Sequence, residues 1–190
     1  VLEARVVTAD SQLVERLIEG VSRAGFKAVE VLPSPLVVAE GVLRAAEKEL
    51  GTALVDMGGG TTAVVLYKHG ALRDMAVIPV GGDHITADLA IGLRTSLGEA
   101  EEMKRELGMG AGAGEGPGEG GRRTAGELPV QLGSPLLVEG SLQAAGQIVA
   151  FRVQEILEIV RETLGWLAGG RELPGGTVLC GGGSLLKGLP

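Results

Sequence analysis

A single cysteine, Cys180, rules out an internal disulfide and fits a reducing compartment. Only two histidines occur, His69 and His84, with no further His or Cys at ligand spacing, so a zinc-type centre is not expected. Basic charge is also in deficit. With 17 Lys and Arg against 24 Asp and Glu the net charge is −7, which favours neither nucleic acid nor an anionic membrane surface as a direct partner. No stretch has the length and apolar continuity of a membrane span, and the opening residues do not have the pattern of a signal peptide. The chain contains no GxxxxGK[ST], no GxSxG and no Ser-His-Asp arrangement, which argues against P-loop and serine-hydrolase chemistry.

What is present is ordinary globular material: 190 residues, 45% hydrophobic and 22% charged, enough to bury a core in one domain or two small ones. Val1–Thr8 is β-branched and reads as a strand. Asp10 or Ser11 then caps a helix with Leu13, Val14, Leu17, Ile18 and Val21 on its apolar face and Gly25 as its stop. Val29–Leu32 reads as a second strand, and Leu36–Leu50 as helix. Thr52–Val55 is a buried-type strand, and Ala63–Tyr67 and Leu72–Val80 are the strands after it, with a glycine loop between the first two and a tight turn at Lys68-His69-Gly70. That order makes a hairpin sheet and not a Rossmann βαβ unit. Helices follow at Asp83–Gly92 and from the capping box Ser96-Leu97-Gly98-Glu99 to Gly108. Gly108–Gly126 is too glycine-rich to bury apolar surface and reads as an elongated surface loop. Leu128–Val138 is extended, confined to an edge by its prolines. Gly146–Leu167 is the longest helix, with Val149, Val153, Ile156, Val160 and Leu164 inward, and Thr177–Cys180 is a last strand.

The sharpest chemical feature is DMGGGTT, Asp56 to Thr62. An apolar strand delivers a carboxylate, and Gly58, Gly59 and Gly60 let the backbone approach a ligand with no Cβ in the way. Successive N–H groups there form an anion nest, and Thr61 and Thr62 add hydroxyls. Asp56 suits a hydrated Mg²⁺ that bridges phosphates better than it suits phosphate itself. The plain alternative is a glycine-rich hairpin turn with a solvated Asp. GGGSLLKG, Gly181 to Gly188, repeats the strand-glycine-helix arrangement, and alone it reads as an ordinary strand-to-helix turn. In GEAEEMKREL, Glu101 and Lys104 stand at i and i+3 on one face, either as a helical salt bridge or as contacts to ribose and base. Cys180, on a buried-type strand, reads as a small core residue.

The ordered set DMGGGTT, VIPVGGDHITADLA, AEEMK and VLCGGGSLLKGLP resembles the second half of the actin, Hsp70 and MreB superfamily, from about Gly51 to the C-terminus. Within it, VIPVGGDHITADLAIGLRTSLGEAEEMKRELG, IVAFRVQEILEIV and VVTADSQLVERLIEGVSRAGFKAVEVLPSPLVVAEGVL look like the corresponding stretches of the FtsA family. The resemblance implies an α/β actin-like ATPase domain (ribonuclease H-like), a mixed sheet flanked by helices over residues 51–190, with residues 1–50 a remnant of the first half and connecting helices. It implies ATP and Mg²⁺ as ligands. Asp56 would hold Mg²⁺ through water, and Gly58, Gly59, Gly60, Thr61 and Thr62 would hold phosphates. Glu101 and Lys104 would meet ribose and adenine, Gly182, Gly183 and Ser184 the base side, and Gly82 and Asp83 would lie near the cleft.

The same resemblance implies an adaptor in bacterial cell division that polymerises with itself, binds the C-terminal tail of FtsZ and sits at the inner face of the cell membrane. Arg152 is the candidate contact for the tail, with an ion pair to Glu155 as the alternative. The opening without Met and the stop after a glycine-rich run imply a piece of a longer chain. The membrane-binding helix would lie beyond Pro190, and the first phosphate loop has no counterpart here, so these residues alone should bind ATP feebly. Ala63 stands where the superfamily commonly has Asp, which argues for weak or absent hydrolysis. A PilM-type pilus-assembly adaptor and an Hsp70-like ATPase share the half-fold; a sugar kinase would need a catalytic Asp and a sugar pocket that are not seen.

Overall fold

The computed structural model describes residues 6–109 and 139–189. The extended segment expected at Leu128–Val138 and most of the loop expected at Gly108–Gly126 lie outside the described residues, as does the start of the strand expected at Val1–Thr8.

Helix α1 (Ser11–Arg23) begins where Asp10 accepts from the N–H groups of Gln12 and Leu13, at 2.8 and 3.1 Å, which satisfies donors the first turn cannot pair internally. It ends before Gly25, whose φ is 85°. None of its residues is buried, and Leu13, Leu17, Ile18 and Val21 are all exposed. Two expected strands are corrected. Residues 6–8 of the first and Val29–Leu32, the second, have no regular structure. β-branched residues favour a pleated, half-buried surface, but a strand also needs a neighbour for its N–H and C=O groups, and neither segment has one among the described residues. The single helix expected over Leu36–Leu50 is two, α2 (Ser34–Val42) and α3 (Ala45–Leu50), with Leu43 and Arg44 extended between them.

The strands β1 (Thr52–Met57), β2 (Thr62–Lys68) and β3 (Ala71–Ile78) form an antiparallel meander, and β4 (Thr177–Cys180) adds parallel to β1, giving the order β3-β2-β1-β4. The β2–β3 turn places His69 and Gly70 at φ 54° and 70°, the paired positive values that a two-residue hairpin requires. A parallel partner for β1 needs a long crossover. It is supplied through α4 (Gly82–Leu93), α5 (Leu97–Leu107) and α6 (Glu139–Ala168).

Both faces of the sheet are covered, which is why β1 and β2 read as continuous apolar runs. Val55, Met57 and Val64 point to one face and pack with Ile85, Leu89, Ala100, Val149, Val153, Ile156 and Val160. Leu54, Val65 and Tyr67 point to the other and pack with Ala39 and Leu43. On that second face Lys48 donates to Glu40 at 2.7 Å and lies 5.2 Å from the centroid of the Tyr67 ring, pinning α2 and α3 to β2.

Candidate functional site

Strand direction decides where the glycine-bearing segments lie. Asp56 pairs with Cys180 across the parallel ladder, so β1 and β4 finish at the same end of the sheet. Thr62 opens β2 opposite Met57 and opposite Ile78, so the start of β2 and the close of β3 lie there too. Gly58–Thr61, Gly81–Asp83 and Gly181–Ser184 therefore leave the sheet at the same end of its strands.

Their contacts are close. The N–H groups of Gly82 and Asp83 donate to the carbonyls of Gly58 and Gly59, each at 2.9 Å, so the first donors of α4 are satisfied by the 58–61 loop. A Cβ at Gly81 would stand 2.6 Å from the Gly58 carbonyl oxygen, which makes glycine necessary at that position. A Cβ at Gly59 would meet the Asp83 carboxylate at 2.9 and 3.0 Å, so that carboxylate lies beside the loop. On the other side, a Cβ at Gly183 would stand 2.7 Å from that of Met57, and Gly181, with φ 82°, leaves no room for a side chain beside Asp56. Ser184 turns back to donate its hydroxyl to the Gly181 carbonyl at 2.8 Å, and Gly182–Leu185 forms a 3-10 turn.

Within the 58–61 loop only the Gly58 N–H has a backbone partner among the described residues, the Thr61 carbonyl at 2.9 Å. Gly59, Gly60 and Thr61 are exposed, with N–H groups available to an anion. Thr62 differs. It is fully buried and its hydroxyl donates to the Val80 carbonyl at 2.7 Å, bracing the loop from behind.

Glu101 and Lys104, on α5, form the salt bridge that their spacing allowed, at 2.5 Å, in a setting that spacing alone did not reveal. Lys104 is buried, 8% exposed, and its ammonium also donates to the Thr86 hydroxyl at 2.9 Å and the Gly82 carbonyl at 3.1 Å. Three donors meet three acceptors. Burial disfavours the charge of Glu101, but hydrogen bonds from Lys104, Thr86 and Arg105 outweigh it and bring its carboxyl down to about 2. Cys180 behaves oppositely: burial, then the neighbouring Asp56 carboxylate, pushes its thiol up to about 11. It is an unreactive partner of Asp56 and not a nucleophile.

Two residues without a sequence signal complete the arrangement. Thr86 joins Glu101 to Lys104. Lys187 donates to the Glu106 carbonyl at 2.8 Å and accepts at its own carbonyl from Met109 N–H at 2.7 Å, tying the 181–188 segment to the end of α5.

Arg152 lies elsewhere. From α6 it donates to Asp88 on α4 at 2.5 and 3.0 Å and to Glu155 at 2.7 Å. The ion pair with Glu155 is thus present, and the larger role is a bridge between two helices. Beside it is a groove of about 360 Å³ lined by Ile91, Gly92, Ile148 and Phe151. No group of three or more His, Cys, Asp or Glu poised to hold a metal occurs among the described residues, so a metal here would need ligand oxygens and water besides Asp56 and Asp83.

With this geometry in hand, residues 53–190 match the family model of cell division protein FtsA. The chain belongs to the FtsA family. It is 37% identical over 188 residues to cell division protein FtsA of Bacillus subtilis (strain 168), covering 99% of this chain and 41% of that protein. To cell division protein FtsA of Escherichia coli (strain K12) it is 30% identical over 196 residues, covering 98% and 45%. The chain thus spans less than half the length of these FtsA relatives. Among solved structures it resembles the PilM-PilN type IV pilus biogenesis complex, at TM-score 0.68 and 20% identity over 93% of this chain and 42% of the other. MreB5 of Spiroplasma citri bound to ADP gives TM-score 0.66 and 21% identity over 94% and 56%. The fold is therefore actin-like, α/β with a mixed sheet flanked by helices, as expected from the FtsA motifs.

Proposed function

We propose that these residues form one wall of an ATP site in an FtsA-type division adaptor, which polymerises and tethers FtsZ filaments to the inner face of the cell membrane. The observation that carries the reading is the departure of three glycine-bearing segments from one end of the sheet's strands, with exposed N–H groups at Gly59, Gly60 and Thr61 and carboxylates at Asp56 and Asp83. That donor set suits a magnesium-bound polyphosphate: N–H groups for phosphate oxygens, carboxylates for a hydrated cation. Asp56 holds the Mg²⁺ through water, and Gly59, Gly60 and Thr61 hold phosphates, while the Gly58 N–H closes the loop onto the Thr61 carbonyl. Glu101 faces the ribose, and Gly182, Gly183 and Ser184 flank the base. Thr62 and Lys104 are spent on Val80 and on the Glu101 network, and they shape the site instead of touching nucleotide. The MreB5 structure holding ADP in the same fold supports a nucleotide here.

Ala63, buried in β2, supplies no carboxylate or hydroxyl for water activation, so hydrolysis is weak or absent and ATP acts by favouring one shape of the protein. The FtsZ tail docks at the groove beside Arg152, where its acidic group competes with Asp88 and Glu155 for the guanidinium. Equilibrium binding of an FtsZ tail peptide and ATP-dependent sedimentation, both on the full-length protein, test this. Tail binding weakened by Arg152→Ala, and pelleting that needs ATP, are the expected results. Absence of tail binding together with nucleotide-independent behaviour would overturn the reading and favour a PilM-type adaptor, the alternative that the PilM-PilN similarity supports.

A further inference from the structure

Thr86 carries no sequence signal, yet it stands at the junction of the network that holds the proposed ribose carboxylate. It is 7% exposed, on the second turn of α4. Its hydroxyl has one proton and two lone pairs. Lys104 donates to it at 2.9 Å, and its own proton has two acceptors in reach, Glu101 Oε2 at 2.5 Å and the Gly82 carbonyl at 3.2 Å; the shorter bond to the charged carboxylate is the stronger and takes it. Glu101 Oε2 also accepts from Lys104 at 2.5 Å, which fills both of its lone pairs. Among the described residues Oε1 accepts only from Arg105, at 2.9 Å, which leaves it one lone pair.

The same network reaches the glycine loop. Lys104 donates to the Gly82 carbonyl, and the Gly82 N–H donates to the Gly58 carbonyl. A single residue, Gly82, thus separates the phosphate side from the residues that orient Glu101.

We propose that Thr86 is a positioning residue for ribose recognition: its hydroxyl fixes the rotamer of Glu101 so that Oε1, and not Oε2, accepts from a ribose hydroxyl of the bound nucleotide. The proposal rests on the nucleotide reading above. A ligand oxygen held within tenths of an ångström keeps its interaction; one free to rotate loses much of it to entropy.

The test compares ATP with 2′,3′-dideoxy-ATP, which lacks both ribose hydroxyls, by calorimetric titration of the full-length protein. A hydrogen bond to a charged carboxylate corresponds to about tenfold or more in affinity, so the unmodified protein should prefer ATP by about that factor. Thr86→Val keeps the shape and removes the hydroxyl, and it should reduce the preference to about threefold or less while still binding both nucleotides. Thr86→Ser should restore it. Thr86→Ala, a second variant without the hydroxyl, gives the same readout if the valine variant does not fold. An unchanged preference in Thr86→Val or Thr86→Ala overturns the proposal, as does a serine variant that loses the preference equally, since that assigns the effect to packing. If the unmodified protein binds neither nucleotide, the nucleotide reading itself fails and the proposal falls with it; binding without ribose preference leaves that reading intact and overturns this proposal alone.

Discussion

Replacing Lys104 with Met removes a buried ammonium while keeping most of the side-chain volume. Three acceptors lose one donor each: the Gly82 carbonyl, the Thr86 hydroxyl and the Glu101 carboxylate. Gly82 is buried, but its carbonyl opens the α4 ladder and keeps the Thr86 hydroxyl at 3.2 Å, so losing the ammonium costs it about 0.5–1.5 kcal/mol. Glu101 fares better, because 30% of its side chain reaches solvent and Arg105 and Thr86 still donate to it. The drop of its carboxyl from 4.5 to about 2 is a net effect of about 3 kcal/mol, partners less the cost of burial, and solvent screening reduces the share of Lys104 to about 1 kcal/mol. The total expected loss at pH 7 is about 1–3 kcal/mol.

The sign with pH follows from linkage. A carboxyl lowered by folding contributes stability that is complete above its unfolded value of 4.5 and is lost as pH falls toward about 2. Lys104→Met raises the folded value, so less remains to be lost in acid. The gap between the parent and variant chains in urea unfolding should therefore be largest above pH 5 and should narrow between pH 4.5 and 2. A loss below about 0.5 kcal/mol at pH 7, or a gap that does not change across that range, would refute the reasoning.

Gly183→Ala should lower the urea midpoint by the equivalent of about 1–3 kcal/mol, because its Cβ would overlap that of Met57, whereas Gly60→Ala, with open space at the same position, should fold within about 0.5 kcal/mol of the parent. Cys180 should alkylate far more slowly than a free thiol at pH 8, with the rate still rising toward pH 11, and Asp56→Asn should speed it, as read by iodoacetamide labelling and mass spectrometry. Asp88→Asn should weaken the α4–α6 contact by about 1 kcal/mol in urea unfolding, and it frees Arg152 for an acidic partner, so FtsZ tail binding should tighten and not weaken.

The first two strands of the meander, β1 and β2, were legible because they are buried on both faces. Leu54, Val55, Val64 and Val65 each face one of two apolar layers, leaving an uninterrupted apolar run with glycines at its ends. The caps of α1 and α5 were legible because Asp10, Ser96 and Glu99 act on neighbours within three residues. Pairings over long separations were not. Nothing near Arg152 indicates Asp88, 64 residues away, and nothing near Lys104 indicates the Gly82 carbonyl. The strand expected at Val29–Leu32 failed for the same reason, since β-branched composition does not show whether a partner strand exists. The break at Leu43 and Arg44 interrupts a pattern that contains no glycine or proline at that point. Of the candidate site, the glycine segments were legible as types, but their convergence depends on β4 running parallel to β1, a property of topology and not of local sequence.

A crystal structure of the full-length protein with Mg²⁺ and a non-hydrolysable ATP analogue addresses the central claim most directly. Phosphates against the N–H groups of Gly59, Gly60 and Thr61, with the ribose in hydrogen-bond reach of Glu101 and the base beside Gly182, are the expected result. A nucleotide bound elsewhere, or one whose ribose lies away from Glu101, would contradict it.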